Sequence, residues 1–243
     1  MAQTLGLPLD GALEVDRPAR ASARGEWTVP AQTIALGGAN AGFAFDNELG
    51  AQEHSLGAFT IDRSPLTWAR YLPFIEAGGY RDRAYWSDEG WAWRERQALL
   101  RPRHLSPDDS GGWKCASFGR WLPLDEDAPA LHLSAHEAQA WCRWAGRRLP
   151  SEFEWECAAR QAAATGEAFA WGQVWEWTAS PFAPYPGFAP HPYRDYSMPW
   201  FDGRPVLRGA SFATAPRLKH ASYRNYFPAE RSDIFAGFRS CAA

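Results

Sequence analysis

A chain of 243 residues that carries 14 Trp, 14 Phe and 8 Tyr but only 2 Met and few aliphatic runs cannot fill its interior with long aliphatic helices. Large rings with polar edges pack irregular interiors and line pockets for flat or cationic ligands. Long periodic helical segments are rare, so loops and short strands are expected to make up most of the fold. With 46% hydrophobic residues the chain can still bury a sizeable core. Its length suits one large domain or two small ones.

The formal net charge of −3 comes from scattered charges and leaves no basic footprint of the kind that phosphate binding requires, so nucleic acid is not an expected partner. No apolar run approaches membrane-spanning length, and the first residues lack the charged-then-apolar layout of a secretion signal. A soluble cytoplasmic protein is the expectation. Cys115, Cys142, Cys157 and Cys241 form no CxxC pair and are expected to be free thiols.

Residues 1–24 are rich in Ala, Pro and charge and read as a linker, followed by one domain over 25–243. From Gly25 to Ile61 the segments EWTVPAQTIALGG, GFAFDNE and HSLGAFTID alternate apolar and polar residues between Gly-containing turns, which predicts strands. Ser64 to Tyr80 predicts a helix ending at Gly78-Gly79, with Pro73 demanding a kink or a late start. Residues 81–130 read as loop with short strands. Ser134 with Glu137, and Ser151 with Glu154, have the S-x-x-E spacing of a capping box and open two firmer helices. Beyond Gly166 the helical period is lost, leaving short strands at VWEWTAS, PVLRGAS and FAGFR. The whole predicts a single α+β domain with a small, twisted, mostly antiparallel sheet and two or three helices.

His132 and His136 are four apart, but Ser134 as N-cap places His132 in the preceding extended segment, so the two rings need not share a face for a metal. His54, His104, His191 and His220 are isolated in sequence. Glu48, Glu53, Asp88, Glu89 and the run Asp125-Glu126-Asp127 read as solvated loop charges. Glu152, Glu154 and Glu156 lie where negative charge complements a helix dipole. Glu176, between Trp175 and Trp177, needs a partner, for which Arg208, Arg224 and Arg239 are the candidates. The rings of Tyr185, Phe188, Tyr193, Tyr196, Trp200, Phe201, Tyr223, Tyr226 and Phe227 either enclose a quaternary ammonium group or form the core of a strand-poor domain.

The succession GQVWEWT, PYPGF, HPYRDYS, VLRGASFAT, YRNYF and AGFR between Gly172 and Arg239 resembles the formylglycine-generating-enzyme/sulfatase-modifying-factor superfamily. Its spelling is most similar to the non-haem iron sulfoxide synthases of ergothioneine-type (or selenoneine-type) biosynthesis. The resemblance covers about residues 25–243 and implies a C-type-lectin-like fold with little regular structure. It also implies that Tyr193 is the catalytic tyrosine and that Tyr196 helps hold N-trimethylhistidine. The family's R-N-W-D motif resembles Arg224-Asn225-Tyr226-Phe227, which implies that these four bind substrate, with Asn225 giving an amide to the histidine carboxylate. Phe227 stands where the family has an acid that grips a γ-glutamylcysteine donor, so that donor is not expected, and cysteine or a selenium-bearing sugar would need a different pocket.

Fe(II) is implied by the resemblance, but the family draws its His ligands from an N-terminal helical domain whose H-x-x-x-H helix this sequence does not contain. The chain reads as if it began just after that helix, which leaves three expectations: a truncated product, a separate iron-binding helical partner domain, or a domain retained for binding alone. The copper-binding cysteines of the formylglycine-generating enzymes fall at Thr214 and Arg224, so no copper site is expected. The short join before WGQVWEWT leaves no room for their calcium-binding stretch. Two alternatives remain: a non-catalytic ligand-binding or scaffold protein on a lectin-like fold, and an independent oxidase with a metal site built from the scattered histidines.

Overall fold

In a computed structural model, which describes residues 18–20, 22–38 and 44–243, the first and third of the early segments predicted as strands form them: β1 (Glu26–Val29), β2 (Gln32–Leu36), β3 (Gln52–Leu56) and β4 (Phe59–Asp62). GFAFDNE instead carries a 3-10 turn over Asp46–Glu48, its first two residues lying outside the described ones. Most of the linker-like segment 1–24 lies outside the described residues. β1 and β4 pair antiparallel from Glu26 opposite Asp62 to Val29 opposite Phe59, while β2 and β3 form a separate two-stranded ribbon.

Helix α1 (Trp68–Glu76) starts later than Ser64, with Thr67 as N-cap, and keeps Pro73 inside it, where the ring removes one backbone hydrogen bond. The helix closes where Gly79 N–H donates to the Phe74 carbonyl. Residues 81–130 hold more structure than expected. Besides the meander β5 (Leu105–Pro107), β6 (Trp113–Ser117) and β7 (Arg120–Pro123), they contain a helix, α2 (Asp88–Arg96). Its N-cap Ser87 accepts from Gly90 N–H, and Asp88 and Glu89 sit in its first turn, so the loop expectation is corrected by local capping.

Both capping boxes form. Ser134 and Glu137 open α3 (Ala135–Trp144), and Ser151 and Glu154 open α4 (Glu152–Thr165), with β8 (Arg147–Arg148) between them. The last third supplies β9 (Trp175–Pro181), β10 (Pro205–Gly209), β11 (Asn225–Tyr226), β12 (Ala236–Gly237) and β13 (Cys241–Ala242). One sheet runs β1-β4-β13-β8 and the other β11-β10-β9-β12, in which only the β9/β12 pair is parallel. Four α-helices among the described residues and these small sheets make an α+β fold.

The main core is aromatic. Trp68, Tyr71, Phe74, Tyr80, Trp141, Trp177 and Phe238 are buried where α1 and α3 meet the β9–β12 sheet. Glu176 at its centre finds one of its three candidate partners, Arg239. The Arg239 guanidinium spans both carboxylate oxygens, with Nη2 donating to Oε1 over 2.8 Å, and Trp155 Nε1 adds a third donor at 2.9 Å. All four cysteines are free thiols.

Candidate functional site

The site is built on a loop that carries Tyr193 and Tyr196 and on the short strand β11. The loop has no regular structure beyond two 3-10 turns, Arg194–Tyr196 and Met198–Trp200. It is fixed by Ser197, buried between those turns, whose hydroxyl donates to Asp46 Oδ1 and accepts from Asn47 Nδ2 over 3.0 Å. Asp46 Oδ2 also accepts the His191 amide over 3.2 Å. Asp46, Asn47 and Glu48 form a buried 3-10 turn of their own. Thus the FDNE segment, some 150 residues earlier, anchors the tyrosine loop.

β11 is held from beneath. Arg224, 1% exposed, directs Nε and Nη2 at the two oxygens of Glu152 over 2.8 and 2.9 Å, and gives Nη1 to the Asn47 carbonyl over 2.8 Å. Its guanidinium lies over the ring of Tyr185, 4.0 Å from the centroid. Arg208, also buried, donates to Glu152 over 3.0 Å and to Glu156 over 2.9 Å. Glu152 and Glu156, read from sequence as dipole-complementing charges, are therefore the anionic half of a buried ion network at the start of α4. Within that network, burial and the neighbouring acids hold Tyr185 as a phenol, its pKa pushed up to about 12. The structure gives Arg224 a supporting place, with its donors spent on protein groups rather than on a ligand.

Three tyrosines converge next to this network. Tyr196 stacks on Phe45 at 4.1 Å between centroids, Tyr223 stacks on the same ring at 5.4 Å, and Tyr226 meets Tyr196 edge-on at 6.3 Å. The Tyr196 and Tyr223 hydroxyls stand 3.5 Å apart. Burial pushes the Tyr196 phenol far up and Tyr226 up to about 12, so both stay protonated at neutral pH. Asn225 Oδ1 accepts from the Tyr226 amide over 2.9 Å, which leaves Nδ2 without a partner among the described residues. Tyr193 is 68% exposed and lies three residues before Tyr196, whose amide donates to the Tyr193 carbonyl over 3.2 Å. Phe227 is half-buried under the Arg231 guanidinium, 5.0 Å from the ring centroid.

Some rings proposed as pocket walls pack on one another instead. Phe201 lies between Phe182 and Phe188, at 4.8 and 5.1 Å. Trp200 is covered by Arg204 at 4.6 Å.

Glu48 is the residue that sequence reasoning placed wrongly. Expected as a solvated loop charge, it is fully buried, neither carboxyl oxygen has a side-chain hydrogen-bond partner among the described residues, and His220 Nε2 is 3.6 Å away. Burial pushes its pKa up to about 8 and holds His220 below the ordinary imidazole value. Its neighbours come from residues far along the chain, so no local pattern could have found it.

The histidines do not converge. His132 is not extended but left-handed, with φ of 62°, and its ring lies 4.4 Å from His104, whereas His136 packs on Trp93 at 5.4 Å. His54 stacks on Phe153 at 3.9 Å. Among the described residues no three His, Cys, Asp or Glu side chains are grouped to hold a metal ion.

The sulfatase-modifying factor enzyme 1-like domain (FGE-sulfatase) matches residues 13–173 and 170–243. The chain belongs to that family. Hercynine oxygenase of Mycolicibacterium thermoresistibile is 36% identical to this FGE-sulfatase chain over 242 residues, covering 81% of this chain and 53% of the relative. Ergothioneine biosynthesis protein 1 of Schizosaccharomyces pombe is 26% identical over 228 residues, covering 81% of this chain and 27% of the relative. The chain therefore spans about half the length of the first relative and about a quarter of the second. Among solved structures, PvdO from Pseudomonas aeruginosa has a TM-score of 0.59 at 16% identity, covering 89% of this chain and 93% of that one, which is a likeness of fold. Among the described residues no helix of this FGE-sulfatase domain is long and apolar enough to cross a membrane.

Proposed function

We propose that this chain is the substrate-binding and catalytic-tyrosine half of an iron-dependent sulfoxide (or selenoxide) synthase that joins a sulfur or selenium donor to N-trimethylhistidine, on a C-type-lectin-like arrangement of its small sheets. One observation carries the reading. Asn225 keeps an unpartnered Nδ2 on a strand fixed by the ion pair of Arg224, beside the protonated phenols of Tyr196 and Tyr226. The names of the relatives, hercynine oxygenase and ergothioneine biosynthesis protein 1, point to the same substrate.

The described residues do not supply a ligand set for the implied iron. What this chain does is bind and hold protons. Asn225 Nδ2 donates to the histidine carboxylate. The faces of Tyr196 and Tyr226 attract the trimethylammonium group through their ring quadrupoles. Tyr193, exposed at the head of the loop, keeps its phenolic proton accessible to a reacting group brought by the iron-binding partner domain. Phe227 presents no acid, which favours cysteine or a selenium donor over one gripped through a carboxylate. Neither copper nor calcium enters this reading.

Titration calorimetry with N-trimethylhistidine on the wild type and on Asn225→Ala tests it. Weak binding that falls about tenfold in the variant is the expected result, the worth of one hydrogen bond to a charged group. Equal binding by both proteins removes the proposed carboxylate contact.

A further inference from the structure

A cleft of about 200 Å³ opens between the start of α2, the start of α3 and the paired ends of β9 and β10. Ser87 and Glu89 line it from α2, His136 and Gln139 from α3, and residues 178–181 with Pro205 from the sheet. None of the residues of the tyrosine site lines it. His136 and Gln139 are three apart, which puts them on one helix face. In the sheet, β9 advances four residues, Trp177 to Pro181, while β10 advances two, Leu207 to Pro205, an irregularity of the kind that re-aims side chains beside functional sites.

His136 sets this cleft apart from an ordinary groove. It is 6% exposed, and neither ring nitrogen has a hydrogen bond among the described residues. Buried polar side chains ordinarily have their partners. The room beside the ring is made by Gly90, the third residue of α2: a Cβ there would stand 3.2 Å from His136 Nδ1 and 3.0 Å from the Ser87 hydroxyl. Gln139 and Glu89 likewise make no hydrogen bond or ion pair among the described residues.

The charges around the ring define what fits. Burial lowers the His136 pKa against the pull of Glu89 and Glu230, with Arg96 adding to the fall. The neutral ring therefore keeps an acceptor nitrogen at a place where two carboxylates favour a positive charge that the imidazole itself does not carry. An ammonium group brings that charge together with three N–H donors, which match the imidazole nitrogen, the Gln139 carbonyl and the Glu89 carboxylate.

We propose that this cleft is a binding site, separate from the tyrosine site, for a small primary amine in its ammonium form. The test is an NMR titration of the full chain, labelled with ¹³C-histidine, with n-propylamine at neutral pH, the His136 signal being assigned from the spectrum of His136→Gln. The His136 ring signal is expected to shift and saturate, while that of His54, stacked on Phe153, stays in place. Propanol and propionate, of similar size but neutral and anionic, are expected to bind at least about tenfold more weakly. Glu89 is exposed, so Glu89→Gln is expected to fold as the wild type does and to weaken propylamine about tenfold. Gly90→Ala, which favours the helix but crowds the imidazole, gives a second variant with the same expected loss of affinity. A His136 signal that does not move with propylamine overturns the proposal, as does equal binding of propionate or an affinity untouched by both substitutions.

Discussion

Arg224 meets Glu152 through two parallel hydrogen bonds inside the protein, Nε to Oε2 at 2.8 Å and Nη2 to Oε1 at 2.9 Å, and neither residue is more than 2% exposed. The pair joins the first turn of α4 to the strand that presents Asn225, so it couples the stability of the domain to the geometry of the site. Removing one partner of a buried ion pair leaves the other charge uncompensated, at a cost of about 3–5 kcal/mol. Glu152→Gln is therefore expected to lower the urea midpoint by that equivalent and, at temperatures where it stays folded, to weaken N-trimethylhistidine binding. Arg224→Lys does not rescue the site, because an ammonium cannot make the two-pronged contact. A midpoint unchanged in Glu152→Gln would show that the network does not support the fold.

Glu48 gives the domain a pH dependence of unusual sign. Its carboxyl is buried, which pushes its pKa from 4.5 to about 8. Between those values the folded chain keeps a proton that the unfolded chain has released, so stability falls as the pH rises through that window, by a few kcal/mol in order of magnitude. Glu156 opposes its ionisation while Arg208 and Arg224 favour it, and burial holds the His220 imidazole below its ordinary value. Glu48→Gln is expected to flatten the slope of unfolding free energy between pH 5 and 8. Parallel slopes for the two proteins would assign the dependence to other groups.

The AGFR motif has a packing cause that can be tested by itself. A Cβ added to Gly237 would stand 2.3 Å from the Ala130 carbonyl oxygen, because β12 runs directly against the segment leading to α3. Gly237→Ala is expected to cost about 1–3 kcal/mol in urea unfolding through forced backbone shifts. A loss below about 0.5 kcal/mol, the range of an ordinary surface change, contradicts that close approach.

Local chemistry was legible and distant chemistry was not. The capping boxes at Ser134 and Ser151 announce α3 and α4 because the hydroxyl and the carboxylate that satisfy the first amides lie within four residues. The alternation from Glu26 to Asp62 announces β1 to β4 for the same reason. α2 escaped notice because Ser87 caps Gly90 with no Glu or Gln there to complete the box, and of its nine residues only Gly90 and Trp93 are buried. In the candidate site, motif resemblance points to Tyr196, Asn225 and Tyr226. Their support was hidden, since Asp46 reaches Ser197 across 151 residues and Arg224 reaches Asn47 across 177. Burial of Glu48, Glu152 and Glu156 follows from those long-range pairings and from nothing in their own neighbourhoods.

Under the proposed function, Tyr193→Phe is expected to separate binding from chemistry. Its side chain is 68% exposed, so removing the hydroxyl disturbs no packed interior, and Tyr193→Phe is expected to shift stability by less than about 0.5 kcal/mol. Neither Asn225 nor the rings of Tyr196 and Tyr226 depend on that hydroxyl, so calorimetric affinity for N-trimethylhistidine should equal that of the wild type. A positioned proton donor contributes about 10²–10⁴-fold to a rate, so once an iron-binding partner domain is supplied, single-turnover formation of the carbon–sulfur or carbon–selenium bond should slow by that order. Unchanged turnover with unchanged binding would remove Tyr193 from the chemistry while leaving the substrate site intact. Lost binding would instead place its hydroxyl among the groups that hold the substrate.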